Sequence, residues 1–204
     1  MTRIKICGVM SEEQARACAE AGADAIGVNF VASSARRVDE RAAHAIVRAV
    51  QAQALVVGIV ANLTLDAMRG LRDVTGVGCL QLHGDEGSRD VAALLPHAYK
   101  AVRVASEEDV SKADAMPGEY VMVDAKVDGV LGGTGCVFDW GLVVELARRR
   151  KLVLAGGLTA ANVATAIRQV HPWCVDVSSG VEISPGLKDM GRVRAFVDAV
   201  RSAE

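Results

Sequence analysis

Val175-Asp176-Val177-Ser178-Ser179-Gly180-Val181-Glu182 passes from a β-branched run into small hydroxyl residues and glycine. It reads as a buried strand stopping in a turn whose backbone N–H groups are uncovered, a place where an anion can sit. Two earlier apolar runs end alike, in Gly132-Gly133-Thr134-Gly135 and in Ala155-Gly156-Gly157-Leu158-Thr159. Three such turns in the second half of one chain predict a single phosphate cradle.

Working outward from that stretch, strand-like and helix-like segments alternate. Strands are expected over 3–7, 25–30, 55–60, 77–82, 99–104, 120–123, 152–154 and 174–177, each followed by a helical or capped segment. Ser11-Glu12-Glu13-Gln14 has the form of a capping box opening the first helix, which stops near Gly22. Most strand starts lie about 20 to 23 residues apart, and no linker or shift in composition divides the chain. So even a beat over 204 residues predicts one α/β domain, residues 1–204, folded as a (β/α)8 TIM barrel.

Composition agrees and excludes several functions. Apolar residues make up 51% of the chain and aromatics only 3%, as expected for parallel strands under alanine-rich helices. A net charge of -2 supplies no field for nucleic acid or an anionic membrane, so a phosphate must be held locally. No apolar run approaches the roughly 20 residues of a membrane span, and no signal-peptide core follows Met1; a cytoplasmic protein is expected. Five scattered cysteines without a C-x-x-C pair indicate neither disulfides nor zinc. A monomer is the default expectation, with a homodimer as the alternative.

Barrels of this kind carry their chemistry at the C-terminal ends of the strands. In the first strand Ile4 and Ile6 share the helix-facing side, while Lys5 and Cys7 face inward. Cys7 is then either a small buried hydrophobe or a group in the barrel mouth, and its place at a strand end favours the mouth. Lys5, one layer deeper, needs an acidic partner, either Asp176 or Asp124. Asp124 ends the sixth strand, as an acid/base group or as the anchor of the glycine-rich loop after it. A thiol and a carboxyl on opposite arcs of one mouth suit an isomerase that moves a proton between adjacent carbons. Gln81 and His83 share a face at the fourth strand end, where His83 is structural or catalytic. Arg36 and Arg37 lie in the loop after the second strand, as solvated surface or as a carboxylate clamp. His44, His97 and His171 fall in helix or loop, so no metal-ligand set converges on the mouth.

These stretches together carry a resemblance. Lys5-Ile6-Cys7-Gly8, Glu20-Ala21-Gly22-Ala23-Asp24, Gln81-Leu82-His83-Gly84, Asp124-Ala125-Lys126, Phe138-Asp139-Trp140 and the three glycine turns closely resemble phosphoribosylanthranilate isomerase of tryptophan biosynthesis. The match runs in order from about Arg3 to the C-terminus. The resemblance implies an Amadori rearrangement of N-(5-phosphoribosyl)anthranilate to 1-(2-carboxyphenylamino)-1-deoxyribulose 5-phosphate, without metal or organic cofactor. It implies Asp124 as general acid, Cys7 as general base, and Arg36 on the anthranilate carboxylate. Gly132, Gly133, Gly156, Gly157, Ser179 and Gly180 would hold the phosphate. His83 and Asp176 would complete the site, Asp176 in an orienting or electrostatic role. The chain departs from the family at Val31-Ala32, where an aromatic-proline pair is common.

Overall fold

The computed structural model describes residues 1–50, 53–124 and 139–203. Eight strands form in chain order: β1 (Arg3–Cys7), β2 (Ala25–Asn29), β3 (Leu55–Val60), β4 (Cys79–Leu82), β5 (Ala98–Arg103), β6 (Tyr120–Asp124), β7 (Lys151–Ala155) and β8 (Cys174–Val177). Each pairs in parallel with the next, and β8 returns to β1, closing the expected barrel. The helices α1 (Glu12–Glu20), α2 (Glu40–Val50), α3 (Leu65–Thr75), α4 (Ser88–Leu94), α5 (Glu107–Asp114), α6 (Val144–Arg149), α7 (Val163–Val170) and α8 (Met190–Arg201) follow the strands one by one. The strand limits differ from the sequence expectation by at most two residues, the ordinary uncertainty of an element's end.

Period-two alternation separates two packed regions. Ile4, Ile6, Ile26, Val28, Leu80, Leu82, Leu152 and Leu154 are wholly buried between barrel and helices, each worth roughly 1.5 to 3 kcal/mol relative to exposure. The opposite faces fill the barrel. Val57, Tyr99, Ala101, Met122, Val153, Ala155 and Cys174 form a second, smaller apolar cluster there, next to the buried polar residues Lys5, Gln81 and Asp176. This division leaves the chemistry at the strand ends, above a packed floor.

Two local features depart from expectation. Ser11 Oγ caps α1 by accepting from Gln14 N at 3.2 Å, but the return half of the capping box is missing: Gln14 Oε1 is buried without a hydrogen-bond partner. After β8 a short antiparallel hairpin, β9 (Glu182–Ser184) and β10 (Leu187–Lys188), turns through Pro185-Gly186. Pro-Gly is a strong turn signal, yet strands this short leave too little alternation to be seen in sequence.

Candidate active site

The upper strand ends enclose a cavity of about 320 Å³. Cys7 reaches it from β1, Arg36 from the loop after β2, His83 from the end of β4 and Asp124 from the end of β6. Gly156 and Gly157 after β7 line it with Asp176, Ser179 and Gly180 of the β8 end. Every described residue expected in the site thus meets the others in one cavity. Gly132 and Gly133, with the rest of 125–138, lie outside the described residues, and Arg37 stays on the exposed surface.

Lys5 is only 2% exposed, and its partner is Asp176. The two residues stand opposite each other in the β1–β8 register, with Lys5 Nζ 2.9 Å from Asp176 Oδ1 and 3.0 Å from Gln81 Oε1. Burial opposes the charge on Lys5, but Asp176, Cys7 and Tyr99 keep its pKa well above the usual range. Lys5 is therefore a fixed cation inside the barrel.

The Cys7 thiol sits beside that cation yet is not activated by it alone. Burial pushes its pKa up; Lys5 and Lys188 pull it down, and Asp176 adds a further upward push. Burial wins, so Cys7 rests as a thiol. Asp176, paired with Lys5, opposes the pull of that cation on the thiol.

Arg36 binds a carboxylate, and in the structure that carboxylate belongs to the protein. Its Nε approaches Glu182 Oε1 at 2.8 Å and its Nη2 approaches Oε2 at 2.6 Å, a bidentate pair. Glu182 is shared with Lys188 Nζ at 2.7 Å, whose side chain is fully buried and also donates to the Cys7 and Ser178 carbonyls. Burial alone would raise the Glu182 carboxyl, but Arg36 and Lys188 hold it down at about 2. The sequence reading missed both Glu182's partner role and Lys188. A single lysine after a Pro-Gly turn looks like any surface lysine until β10 carries it under β1.

The glycine turns after β7 and β8 are built by close backbone approach. Gly156 and Gly157 have φ of 94° and 65°, a left-handed turn that side chains other than glycine's disfavour. Asn162 ties this turn down, its Oδ1 accepting from Thr159 N at 2.8 Å and its Nδ2 donating to Gly157 O at 3.0 Å. A Cβ on Gly180 would overlap the Leu158 carbonyl oxygen, so the β7 and β8 loops interlock only with glycine there. Across the mouth, His83 Nε2 stands 3.8 Å from Asp124 Oδ2, and its Nδ1 lies 3.0 Å from Gln81 Nε2.

The arrangement thus joins a thiol, a carboxyl, a guanidinium already paired with a carboxylate and two glycine turns around one small cavity. Comparisons with known proteins point the same way. The family model of N-(5'phosphoribosyl)anthranilate (PRA) isomerase matches residues 4–199. The N-(5'-phosphoribosyl)anthranilate isomerase of Pseudomonas aeruginosa (strain LESB58) is 49% identical over 203 residues, covering 98% of this chain and 95% of that protein. Among solved structures, phosphoribosyl anthranilate isomerase from Thermotoga maritima superposes with a TM-score of 0.91 at 34% identity, over 99% of this chain and 100% of that one. A second, the enzyme in complex with reduced 1-(o-carboxyphenylamino)-1-deoxyribulose 5-phosphate, gives a TM-score of 0.88 at 32% identity, over 99% of this chain and 100% of that one. This chain belongs to the N-(5'-phosphoribosyl)anthranilate isomerase family.

Proposed function

We propose that the chain performs the family's isomerisation, the Amadori rearrangement of N-(5-phosphoribosyl)anthranilate, with Asp124 as general acid and Cys7 as general base. The observation that carries this assignment is the opening of both groups, from β6 and β1, into the one cavity that also holds the glycine cradle. Asp124 donates its proton to the furanose ring oxygen as the bond from that oxygen to C1 breaks, and the anilino nitrogen's lone pair forms the C1 iminium. Cys7 then takes the C2 proton. The electrons of that C–H bond form the C1–C2 double bond, the iminium pair returns to nitrogen, and the enolamine so formed becomes the ketone as C1 takes up a proton and the C2 hydroxyl gives one up.

The cation of the intermediate supplies what the resting thiol lacks. An ordinary thiol has a pKa of about 8.5, and burial holds Cys7 higher, so the thiolate needs nearby positive charge. An iminium at C1 puts that charge one carbon from the proton to be removed. The cradle of Gly156, Gly157, Ser179 and Gly180 holds the phosphate, and Arg36 presents its remaining N–H groups to the anthranilate carboxylate. The substrate is thereby fixed at both ends, with its reacting carbons between Cys7 and Asp124.

The test is fluorescence-monitored turnover of phosphoribosylanthranilate. Cys7→Ala and Asp124→Ala are each expected to lower kcat on the order of 10² to 10⁴, the range for general acid/base groups. Near-normal turnover in either variant rejects that residue's role. We place the protein in the cytoplasm, with the other enzymes of small-molecule biosynthesis to which its family belongs, and as a monomer.

A further inference from the structure

We propose that Gln81, oriented by Lys5 and Tyr99, fixes His83 as the tautomer that carries its proton on Nε2, and so turns an N–H toward Asp124. Gln81 and its two orienting partners are then positioning residues for the general acid, an inference resting on the acid role of Asp124 given above.

The argument follows hydrogen-bond polarity from strand to strand. A lysine ammonium has donors only, so the Gln81 atom 3.0 Å from Lys5 Nζ must be the amide oxygen. Tyr99 of β5 adds a second donor to that oxygen, its hydroxyl lying 3.0 Å from the same Oε1. Burial pushes the Tyr99 pKa well up, which keeps that hydroxyl protonated and able to donate. With the oxygen so placed, the amide NH₂ of Gln81 faces His83 Nδ1 at 3.0 Å. An NH₂ cannot accept, so Nδ1 must offer its lone pair, and a neutral imidazole then carries its hydrogen on Nε2. That nitrogen is the one 3.8 Å from Asp124 Oδ2. The gap is longer than a hydrogen bond, and contacts among catalytic groups tighten when substrate binds.

The neutrality of the ring has its own cause. Burial lowers the His83 pKa first; Asp124 at the end of β6 opposes it, while Arg103 and Lys100 of β5 and Lys5 of β1 add to the lowering. A neutral Nε2–H has a use in the reaction. Once Asp124 has released its proton to the ring oxygen, its carboxylate gains a donor aimed at it. The reverse tautomer would turn a lone pair toward that carboxylate and repel it. The chain of contacts also joins the two arcs of the site, running from Asp176 through Lys5, Gln81 and His83 to Asp124. Gln81 is only 2% exposed and Tyr99 6%, so neither orientation is left to solvent.

The test is ¹⁵N NMR of histidine-labelled full-length protein, with a His83→Gln variant to assign the His83 signals among the four histidines. The wild-type ring is expected to be neutral at pH 7 with the proton on Nε2; a proton on Nδ1 overturns the proposal. In Gln81→Glu the ionised carboxylate can only accept, so Nδ1 must become protonated and the His83 titration must move to higher pH. In Gln81→Met the tautomer preference should be lost, with kcat down about 10- to 100-fold, the loss seen where partners orienting metal-bound histidines are removed, and KM changed less. An unchanged tautomer in both variants, or full kcat in a variant whose tautomer has changed, overturns it. Circular dichroism confirms that each variant is folded. Turnover retained in Asp124→Ala would instead remove the acid assignment, and the NMR result would stand apart from it.

Discussion

Cys7 shows how a residue's neighbours set its chemistry. A buried thiol with a cation on one side and an ion pair one layer below is not a strong base at rest, and the pH dependence follows from that. The base must be deprotonated, so the limb of the kcat/KM profile that belongs to Cys7 should rise with pH and have its midpoint above the roughly 8.5 of a free thiol. Alkylation by iodoacetamide, followed at the Cys7 peptide by mass spectrometry, should have its midpoint there. Asp176→Asn removes a carboxylate that holds the thiol pKa up and should move that midpoint down. Cys18 and Cys79, each raised to about 11 by burial, should react far more slowly at neutral pH. Arg36 is the second residue whose role depends on what stands beside it. Because Glu182 already occupies its Nε and Nη2, Arg36→Ala should weaken substrate binding by about 2 to 5 kcal/mol, read as KM, the range for truncating one partner of a desolvated charge pair.

Among the elements, the β9–β10 hairpin has an importance its length hides. Five residues of strand bring Glu182 and Lys188 beneath the mouth, and Lys188 ties the Cys7 carbonyl of β1 to the Ser178 carbonyl after β8. Glu182→Gln leaves the buried Lys188 charge without its counter-ion and should cost about 3 to 5 kcal/mol in denaturant unfolding. The pH dependence has a definite sign. The Glu182 carboxyl is depressed to about 2 in the fold against about 4.5 unfolded, so its stabilisation is present above about 4.5 and is lost as pH falls toward 2. Acid unfolding of Glu182→Gln should lack that portion of the wild-type slope.

At the scale of the whole molecule, closure of the barrel turns eight separate strand ends into one site. β1 and β8 are paired although their facing residues Lys5 and Asp176 lie 171 positions apart. Apart from the Lys5, Gln81 and Asp176 cluster, the described barrel interior is mostly apolar, and all eight helices keep their apolar faces on the barrel. With that core satisfied within one chain, the expected mass by light scattering is that of a single 21.4 kDa chain. A doubled mass would show that two copies associate, and the exposed apolar side chains, Leu55 and Trp173 among them, are the surface to test for that contact.

The sequence by itself determined the barrel and its strand ends. Alternation places Lys5 and Cys7 inward of Ile4 and Ile6, and evenly spaced βα units leave Cys7, His83, Asp124 and the Asp176–Gly180 stretch at the same end. Those are local properties, repeated eight times, so they are legible one segment at a time. What only the tertiary structure decided is which charges meet. From sequence Lys5 fits Asp176 or Asp124; strand register selects Asp176, because pairing of β1 with β8 sets the two side chains 2.9 Å apart. Arg36 reads as free to bind ligand, yet the hairpin brings Glu182 against it. Lys188 and the direction of the Gln81 amide carry no local signal at all. Hydrogen-bond polarity and ion pairing act over about 3 Å between atoms far apart in the chain, and distances on that scale exist only after the barrel has closed.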